Sequence, residues 1–369
     1  MANPACIFHH PFPVEPGGKS GSSVRPFQML RAFGELGYEV TAVTGFARER
    51  REQIRRLSAD IAKGKHFDFA YSESHTLPMF LTEPHHLPSH PYVDHALFGR
   101  LNRKRIPLGL FYRDVYWRFD QFKMQYSWPK QHFATYFYRR EWNEYTNVVD
   151  HLFLPSLAMV AALPTPWPAE RLSPLPPGSN SSVAIQRSAP STSSTLQLLY
   201  VGGVNPPIYD LTPLFESIHR YHSAQLTLCC RREEWDAVAN YYAPTDTVNI
   251  VHASGEQLNA LYQQADLITI LRKPHPYLDF AMPVKVFEAI SYGLPIVSLE
   301  GSETARFIDQ EEIGWVVESP GDFRLLLDSL LANPKKLETA YQKVASVQER
   351  HTWNARAHQV TKTLTGMKP

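Results

Sequence analysis

The hydrophobic positions of the chain follow two periods in turn, and their alternation predicts an α/β fold. Short apolar runs typical of buried parallel strands occur at residues 5–10, 107–112, 196–201 and 294–299. Between such runs, apolar residues recur three and four positions apart over helix-length segments such as 25–37. The alternations form two series. We therefore predict two doubly wound, Rossmann-like domains facing a cleft.

The stretch from Asp279 to Val317 carries the most informative polar residues. Its first half predicts a helix with one apolar face that ends at Gly293, because glycine suits the left-handed position after a helix. Pro283 is expected at the first helical position, where its missing N–H has no partner to lose. Because Met282 is a poor N-cap, the first N–H groups, near Val284 to Val286, are left for an outside acceptor.

Lys285 and Glu288 lie three positions apart, so both project from one side of this helix. A free helix N-terminus with a lysine in its first turn suits a phosphate group. A carboxylate one turn further suits the two hydroxyls of a sugar diol. The pattern favours a nucleotide sugar as ligand. The alternative is an ordinary strand–helix crossover with a lysine and a glutamate on its surface.

The order Pro-x-Lys-x-x-Glu-Ala-x-x-x-Gly-x-Pro-Ile-Val over residues 283–297, followed by a Gly-x-Val strand, resembles the donor motif of family 4 retaining glycosyltransferases of the GT-B fold. The resemblance implies transfer of a sugar, with retention, from a UDP- or GDP-linked donor to a hydroxyl acceptor: a glycan, a lipid-linked saccharide or a small molecule. It implies that helix N–H groups and Lys285 stabilise the leaving diphosphate, which helps to deprotonate the acceptor, while Glu288 binds the ribose hydroxyls. It also implies that neither a cofactor nor a metal ion is needed.

The domain boundaries follow from composition and from this resemblance together. A Pro- and Ser-rich stretch with little periodicity, residues 164–195, predicts the interdomain connection. We place the acceptor-side domain at residues 1–175, the linker at 176–195 and the donor-binding domain at 196–349. As in GT-B enzymes, a final helix within residues 350–369 is expected to cross back to the N-terminal domain.

Three places depart from the family pattern. Phe280 stands where the family has a second glutamate, so the contact to the donor sugar is expected from Asp279 or from the backbone, or is absent. Arg306 stands near the place of the motif glutamate that follows the glycine turn. Residues 205–210 replace an arginine and a lysine that many members use for the diphosphate. We expect substrate choice to be encoded around Asp279 and Phe280.

A loop with Gly17, Gly18 and Gly21 follows the first strand. Its glycines allow close backbone approach, and the N-terminus of the next helix is an anion site. The alternative is a flexible connection. In the resembling family a glycine loop here faces the donor diphosphate across the cleft, so we assign Gly17 and Gly18 to donor binding.

Other candidates follow strands at their carboxyl ends, where parallel sheets place ligands. Arg113 and Asp114 follow one strand, and the resemblance gives Asp114 the approximate place of an acceptor-side catalytic residue, commonly a histidine. The alternative is a helix-capping aspartate. Arg231 ends another strand and suits a phosphate, or is a surface arginine. Gly203 matches the family's first glycine turn in the donor domain.

Two segments suit a surface role. Residues 46–66 predict a basic helix that suits contact with anionic lipid. The alternative is an ordinary surface helix exposed to solvent. Residues 111–145 are so aromatic that some rings are expected outside the core, as an acceptor platform, a lipid-facing surface, simple helix packing or an oligomer interface. The histidines of residues 75–95 match no zinc spacing, and we expect a surface loop there rather than a metal site.

Composition narrows the function classes. The 369 residues are 43% hydrophobic with a net charge of +1, which predicts a globular protein and gives no bulk field for nucleic acid. Three cysteines form no disulfide framework, which favours a reducing compartment. No signal peptide or membrane-spanning run is recognisable. We expect a cytoplasmic protein, with peripheral contact to the inner face of the membrane as an alternative.

Two other functions remain open at this stage. One is a GT-B enzyme of another reaction, such as a nucleotide-sugar epimerase, although no acid and base set for it is recognisable. The other is a non-catalytic glycosyltransferase-like subunit that stabilises a partner. The missing glutamate at Phe280 favours that second alternative, whereas the presence of Lys285 and Glu288 argues against it.

Overall fold

A computed structural model describes residues 3–18, 21–180 and 195–367 of the chain, which forms two compact units. Unit 1 comprises Met1–Pro177 together with Trp353–Pro369, and unit 2 comprises Gly178–Thr352. Residues 181–194, the larger part of the predicted linker, lie outside the described residues.

Unit 1 is built on a sheet of six parallel strands in the order β2-β1-β3-β4-β5-β6. The strands are β1 (Ala5–His10), β2 (Glu39–Thr44), β3 (Phe69–Glu73), β4 (Leu108–Phe111), β5 (His151–Leu154) and β6 (Leu172–Pro174). The helices between them are α1 (Gly21–Glu35), α2 (Ala47–Ala62), α3 (Val93–Arg103), α4 (Asp120–Gln125) and α5 (Trp128–Val148). The four inner strands are buried along their whole length, which explains their near-continuous apolar runs.

Unit 2 repeats this architecture with the strand order β12-β11-β10-β7-β8-β9, also parallel throughout. Its strands are β7 (Leu196–Val201), β8 (Ala224–Cys229), β9 (Val248–Val251), β10 (Leu267–Ile270), β11 (Ile296–Leu299) and β12 (Gly314–Val317). Its helices are α6 (Thr212–Ile218), α7 (Arg232–Tyr242), α8 (Glu256–Gln264), α9 (Val284–Ser291), α10 (Glu303–Gln310), α11 (Pro320–Ala332) and α12 (Pro334–Val347). The sheet separates two apolar clusters, one on each face.

The last helix, α13 (Trp353–Thr365), belongs to unit 1, as the GT-B resemblance predicts. Its Trp353, Val360 and Leu364 are buried in the same core as Phe153. Gly109 in β4 permits this close packing, because a Cβ there would lie 2.8 Å from the Phe153 ring and 2.9 Å from a methyl group of Leu364.

The strand orders define where each sheet offers a ligand site. In unit 2 the order reverses between β7 and β10, and in unit 1 it reverses between β1 and β3. The loops that leave the carboxyl ends of these neighbouring strands diverge to opposite faces of the sheet and leave a crevice. We therefore expect ligand-binding residues in the segments after β7 and β10 and in those after β1 and β3.

The predicted α/β fold with two Rossmann-like domains is confirmed, and several local expectations are corrected. Helix α1 begins at Gly21, so this glycine is helical rather than part of the loop. Strand β6 lies inside the stretch predicted to be irregular, where the edge of the sheet tolerates its terminal proline. His95 lies on α3 with a largely buried ring instead of in a surface loop.

The described ranges contain neither a cluster of metal-ligating side chains nor a membrane-spanning helix. No three His, Cys, Asp or Glu side chains within residues 3–18, 21–180 and 195–367 are grouped so that they would hold a metal ion. No helix in these ranges has the length and apolar composition needed to cross a bilayer.

Candidate functional site

Helix α9 begins with uncapped backbone N–H groups. Pro283 is its N-cap rather than its first helical residue, and a proline side chain accepts no hydrogen bond. In the described part of the chain, no acceptor pairs with the N–H groups of Val284 and Lys285, whereas the N–H of Val286 donates to the Pro283 carbonyl at 3.1 Å. Two of the three expected donors are therefore free for a ligand, and the third is not.

The other end of α9 is closed as expected. Gly293 has a φ of +67°, and the N–H groups of Gly293 and Leu294 donate to the Ile290 and Ala289 carbonyls at 3.0 Å each. These two hydrogen bonds pair carbonyl groups of the last helical turn. The helix is therefore held firmly at its C-terminus while its N-terminus stays open.

Lys285 and Glu288 form an ion pair on the side of α9. The Lys285 Nζ donates to Glu288 Oε2 at 2.7 Å, and both side chains remain partly exposed, at 33% and 29%. The Tyr262 hydroxyl, from α8, donates to the same carboxylate oxygen at 2.7 Å. The Lys285 ammonium has three hydrogens, so two remain for a further acceptor.

Tyr262 is fixed within the core of unit 2. Its side chain is almost fully buried, and its ring stacks on Tyr292 with centroids 4.8 Å apart and an interplanar angle of 6°. Burial, and then the negative charge of Glu288, raise the pKa of the Tyr262 hydroxyl well above its usual value. The hydroxyl therefore keeps its proton and acts as a permanent donor to Glu288. Sequence spacing gave no signal for this contact, because the two residues lie on different helices.

The crevice of unit 2 adds an arginine that the sequence reasoning missed. Arg272 follows β10, and its Nη2 atom is buried without a hydrogen-bond partner in the described residues. Burial lowers the pKa of this guanidinium, while Tyr200, Tyr209 and Asp279 act in the opposite direction. The rule applied to Arg113, a charged residue just after a buried strand, would have identified Arg272 as well.

Gly203 lies at the same crevice, after β7, and its small size serves the fold. A Cβ at this position would lie 2.8 Å from the Tyr209 ring. The glycine is therefore required by packing within the loop, whether or not a ligand approaches its backbone.

Arg231, predicted to bind phosphate, and Asp279, predicted to contact the donor sugar, both interact with neighbouring residues. Arg231 precedes α7 with a 63% exposed side chain that pairs with Glu234 at 2.8 Å. Asp279 is half-buried, and its backbone carbonyl accepts the N–H of Glu303 at 2.7 Å. Phe280, at the position of the missing glutamate, is buried in the core, so its ring offers no contact to a donor sugar.

In unit 1, Arg113 and Asp114 follow β4 and contact the end of β3. The N–H of Arg113 donates to Ser74 Oγ at 2.9 Å, and its guanidinium lies 4.0 Å from the Glu73 carboxylate. Asp114 accepts the Thr76 hydroxyl at 3.1 Å and the N–H of Tyr116 at 3.0 Å. Burial raises the pKa of Asp114 and lowers that of Arg113.

These contacts are compatible with both interpretations of Asp114, the capping role and the catalytic role. Its bond to the N–H of Tyr116, the first residue of a short 3-10 turn, is the predicted capping role. Its half-buried carboxylate with a raised pKa also suits a group that exchanges a proton or orients a hydroxyl.

The crevice of unit 1 contains histidines that the sequence reasoning did not assign. His10 ends β1, and its Nδ1 lies 2.9 Å from the Glu73 carbonyl. The His75 ring stacks on Phe12 at 4.9 Å, and burial, with the Arg113 charge, lowers the pKa of His75 to about 4. His75 is therefore neutral near pH 7 and available as a hydrogen-bonding group.

Gly17 and Gly18 precede α1 and differ in what they require. Gly17 has a φ of +81° with open space where a Cβ would lie. A Cβ at Gly18 would lie 2.4 Å from the Ser23 Oγ, so this glycine is needed for the loop to pack on the first turn of α1. The loop conformation therefore explains why glycine stands at both positions, without reference to a ligand.

Comparisons with known proteins bear on the family and the fold of the chain. Residues 212–362 match the model of a family described as glycosyl transferase-like. The fold is similar to that of WaaG, a glycosyltransferase involved in lipopolysaccharide biosynthesis, at 15% identity and a TM-score of 0.58 over 98% of this chain and 100% of that one. None of the curated proteins matches the chain in sequence.

Two further solved structures extend the similarity. HepE from Anabaena, in complex with UDP and glucose, shares 13% identity at a TM-score of 0.60 over 98% of this chain and 100% of that one. A glycosyltransferase from Rickettsia africae shares 12% identity at a TM-score of 0.63 over both full lengths. The resemblance recognised in the sequence is thereby confirmed: the chain has the GT-B fold of these glycosyltransferases, and its residues 212–362 match the glycosyl transferase-like family.

Proposed function

We propose that the protein is a retaining glycosyltransferase that moves a sugar from a UDP- or GDP-linked donor to a hydroxyl acceptor. The observation that carries the proposal is the open N-terminus of α9 beside the Lys285–Glu288 pair. The free N–H groups and the ammonium suit the diphosphate, and the carboxylate suits the ribose diol. HepE, a protein of similar fold, binds UDP and glucose.

The charge on the leaving diphosphate would be stabilised without reorganisation. The N–H groups of Val284 and Lys285 already point out of the helix, and the helix dipole adds partial positive charge at this end. Preorganised donors of this kind typically account for about 3–4 kcal/mol of transition-state stabilisation each. We propose that these groups perform the role that a metal ion plays in other transferases, so that no metal is required.

Unit 1 would supply the acceptor chemistry. Asp114 would orient the acceptor hydroxyl and Arg113 would hold the local negative charge, while the leaving diphosphate takes the acceptor proton on the same face of the sugar. The raised pKa of Asp114 brings its carboxylate closer to the pH range in which proton exchange is efficient. Gly17, Gly18, Gly203, Arg231 and Asp279 remain proposed donor contacts.

We also propose a peripheral membrane contact through the end of α4, the turn that follows it and the start of α5. Every residue from 123 to 130 is exposed, and Met124 and Trp128 have exposed fractions of 73% and 68%. Lys123 and Lys130 flank these apolar side chains. Tryptophan and tyrosine favour the bilayer interface, and lysines favour anionic headgroups, so an anionic bilayer surface matches this turn. A lipid-linked saccharide as acceptor would be consistent with such a contact.

Binding of the donor is tested by thermal protection with a panel of nucleoside diphosphates and their sugars. We expect UDP or GDP, alone or as a sugar conjugate, to raise the melting temperature. Retention is tested by proton NMR of the first sugar released, whose anomeric configuration should equal that of the donor. An inverted product would remove the retaining mechanism. Binding without turnover for any donor and acceptor would favour the non-catalytic subunit, to which the buried Phe280 also points.

The membrane contact is tested by sedimentation with vesicles of phosphatidylcholine alone or mixed with phosphatidylglycerol. We expect binding to the anionic vesicles, and its loss in Trp128→Ala. Leu325, on α11, has a similar exposed fraction of 67%, so Leu325→Ala is the matched control and should bind as the wild type does. Equal loss in both variants, or no vesicle binding by the wild type, would refute the proposed contact.

A further inference from the structure

The two carboxylate oxygens of Glu288 have unequal surroundings. Oε2 accepts two hydrogen bonds, from Tyr262 and from Lys285, each at 2.7 Å. Oε1 has no partner among the residues that the structure describes. The carboxylate therefore presents one occupied and one available oxygen on the partly exposed side of α9.

Of the two donors to Oε2, only Tyr262 is fixed. Lys285 has a long side chain that is one-third exposed, and ion pairs of this kind on a helix surface hold their geometry weakly. A bound phosphate would also compete for its ammonium. Tyr262 is held by burial and by its stack on Tyr292, whose own hydroxyl donates to Asn259 Oδ1 at 2.7 Å.

We propose that Tyr262 is a positioning residue that holds Glu288 with Oε1 turned to the ribose, and so sets the preference for ribonucleotide over 2′-deoxyribonucleotide donors. The inference rests on the proposed donor function. It names the residue that makes the nucleotide part of the donor site specific for ribose. Tyr262 touches no substrate in this arrangement and acts only through Glu288.

The proton on Tyr262 makes the arrangement insensitive to pH. Because burial and the Glu288 charge raise the pKa of this hydroxyl well above its usual value, it donates throughout the neutral range. Cys229, whose electrostatic environment includes Lys285, has a thiol pKa that burial raises, so it adds no negative charge near Glu288 at pH 7. The carboxylate thus keeps its orientation whether or not Lys285 turns to a phosphate.

The experiment compares Tyr262→Phe with Tyr292→Phe. Each variant removes one hydroxyl and keeps one ring of the same stacked pair, but only the first removes a hydrogen bond to Glu288. Calorimetry would give the dissociation constants of UDP, GDP and their 2′-deoxy forms. For the better-bound base, we expect the wild type to favour the ribose form by about tenfold or more, since a site that hydrogen-bonds a hydroxyl rejects the analogue that lacks it.

The ratio of these dissociation constants is the diagnostic quantity. In Tyr262→Phe it should fall at least threefold toward the value of Glu288→Gln, while in Tyr292→Phe it should stay at the wild-type value. A general loss of packing would weaken ribose and deoxyribose forms equally and leave the ratio unchanged. An unchanged ratio in Tyr262→Phe, with a reduced ratio in Glu288→Gln, would overturn the role of Tyr262. Failure of the wild type to bind either nucleotide would instead refute the proposed function itself.

Discussion

Replacing Lys285 with methionine isolates the charge that we assign to the donor diphosphate. Methionine keeps most of the length and apolar stem of lysine and removes the ammonium. In the ligand-free protein the substitution deletes one ion pair, the 2.7 Å contact with Glu288. Because both side chains are about one-third exposed, this pair contributes little to folding, and we expect the melting temperature to change by only a few degrees.

The effect on ligand binding should be much larger. A charge-assisted hydrogen bond contributes about 1.5–3 kcal/mol, and the unpaired Glu288 carboxylate then also repels the diphosphate. The hydrogen bond alone corresponds to roughly 10- to 140-fold weaker binding of the nucleoside diphosphate, at about 1.4 kcal/mol per factor of ten, and the repulsion adds to this loss. Binding of the nucleoside without phosphates should change far less.

The assay is calorimetric titration of UDP and GDP, with Lys343→Met as the matched control. Lys343 forms an equivalent lysine–glutamate pair with Glu312 elsewhere in unit 2. We expect Lys343→Met to bind the diphosphate as the wild type does.

Two results would refute this reasoning. If Lys285→Met binds the diphosphate with wild-type affinity, the ammonium makes no contact with it. If nucleoside and nucleoside diphosphate weaken by the same factor, the lysine acts on the ribose or on the fold, and the diphosphate lies elsewhere, for example at Arg272 after β10.

Three further outcomes are expected. Burial raises the pKa of Glu141 to about 8 from the ordinary glutamate value of 4.5, so the folded wild type loses stability as the pH rises between those two values. Glu141→Gln should therefore exceed the wild type in unfolding free energy at pH 9, by roughly 3–5 kcal/mol, and lose that advantage at pH 4. Asp114→Asn should lower turnover about 100-fold or more with unchanged diphosphate affinity, and unchanged turnover would remove Asp114 from the mechanism. Gly203→Ala should lower stability by about 1–3 kcal/mol through the Tyr209 ring, and an equal loss in a Tyr209→Ala background would show that the ring is not the cause.

Much of the fold was predictable because hydrophobic periodicity reports burial directly. The four inner strands of unit 1 and strands β10 and β11 of unit 2 lie where mostly apolar runs occur, since helices cover both faces of a parallel sheet. The prediction was wrong at β6, because this three-residue edge strand contains a proline and sits in a Pro-rich stretch. Composition predicts an irregular chain there, whereas the segment forms a strand because it pairs with β5.

The candidate site was predictable where chemistry is local in sequence. Lys285 and Glu288 face one side of α9 because helix geometry brings residues three apart together, and their pairing confirms that geometry. The N–H groups of Val284, Lys285 and Val286 were all predicted to be free, but Pro283 occupies the N-cap position and the N–H of Val286 donates to its carbonyl. A one-residue shift of the helix start is enough to change which N–H groups are available.

Contacts between distant elements could not be predicted from the sequence. Tyr262 looks like an ordinary core position of α8, and only the packing of α8 beside α9 brings its hydroxyl to Glu288. The histidines of residues 75–95 show the converse, because residues close in sequence do not share one environment. Their clustering in sequence suggested one common loop, but His95 faces the interior from α3.

The most direct test of the account is release of a nucleoside diphosphate from a panel of UDP- and GDP-linked sugars by the purified protein. The account predicts that at least one donor is turned over, by slow hydrolysis or faster transfer to a hydroxyl acceptor, without added metal and in the presence of a chelator. Turnover should fall in Lys285→Met and persist in Lys343→Met. The account is contradicted if no donor in the panel is turned over, or if turnover in Lys285→Met equals that of the wild type.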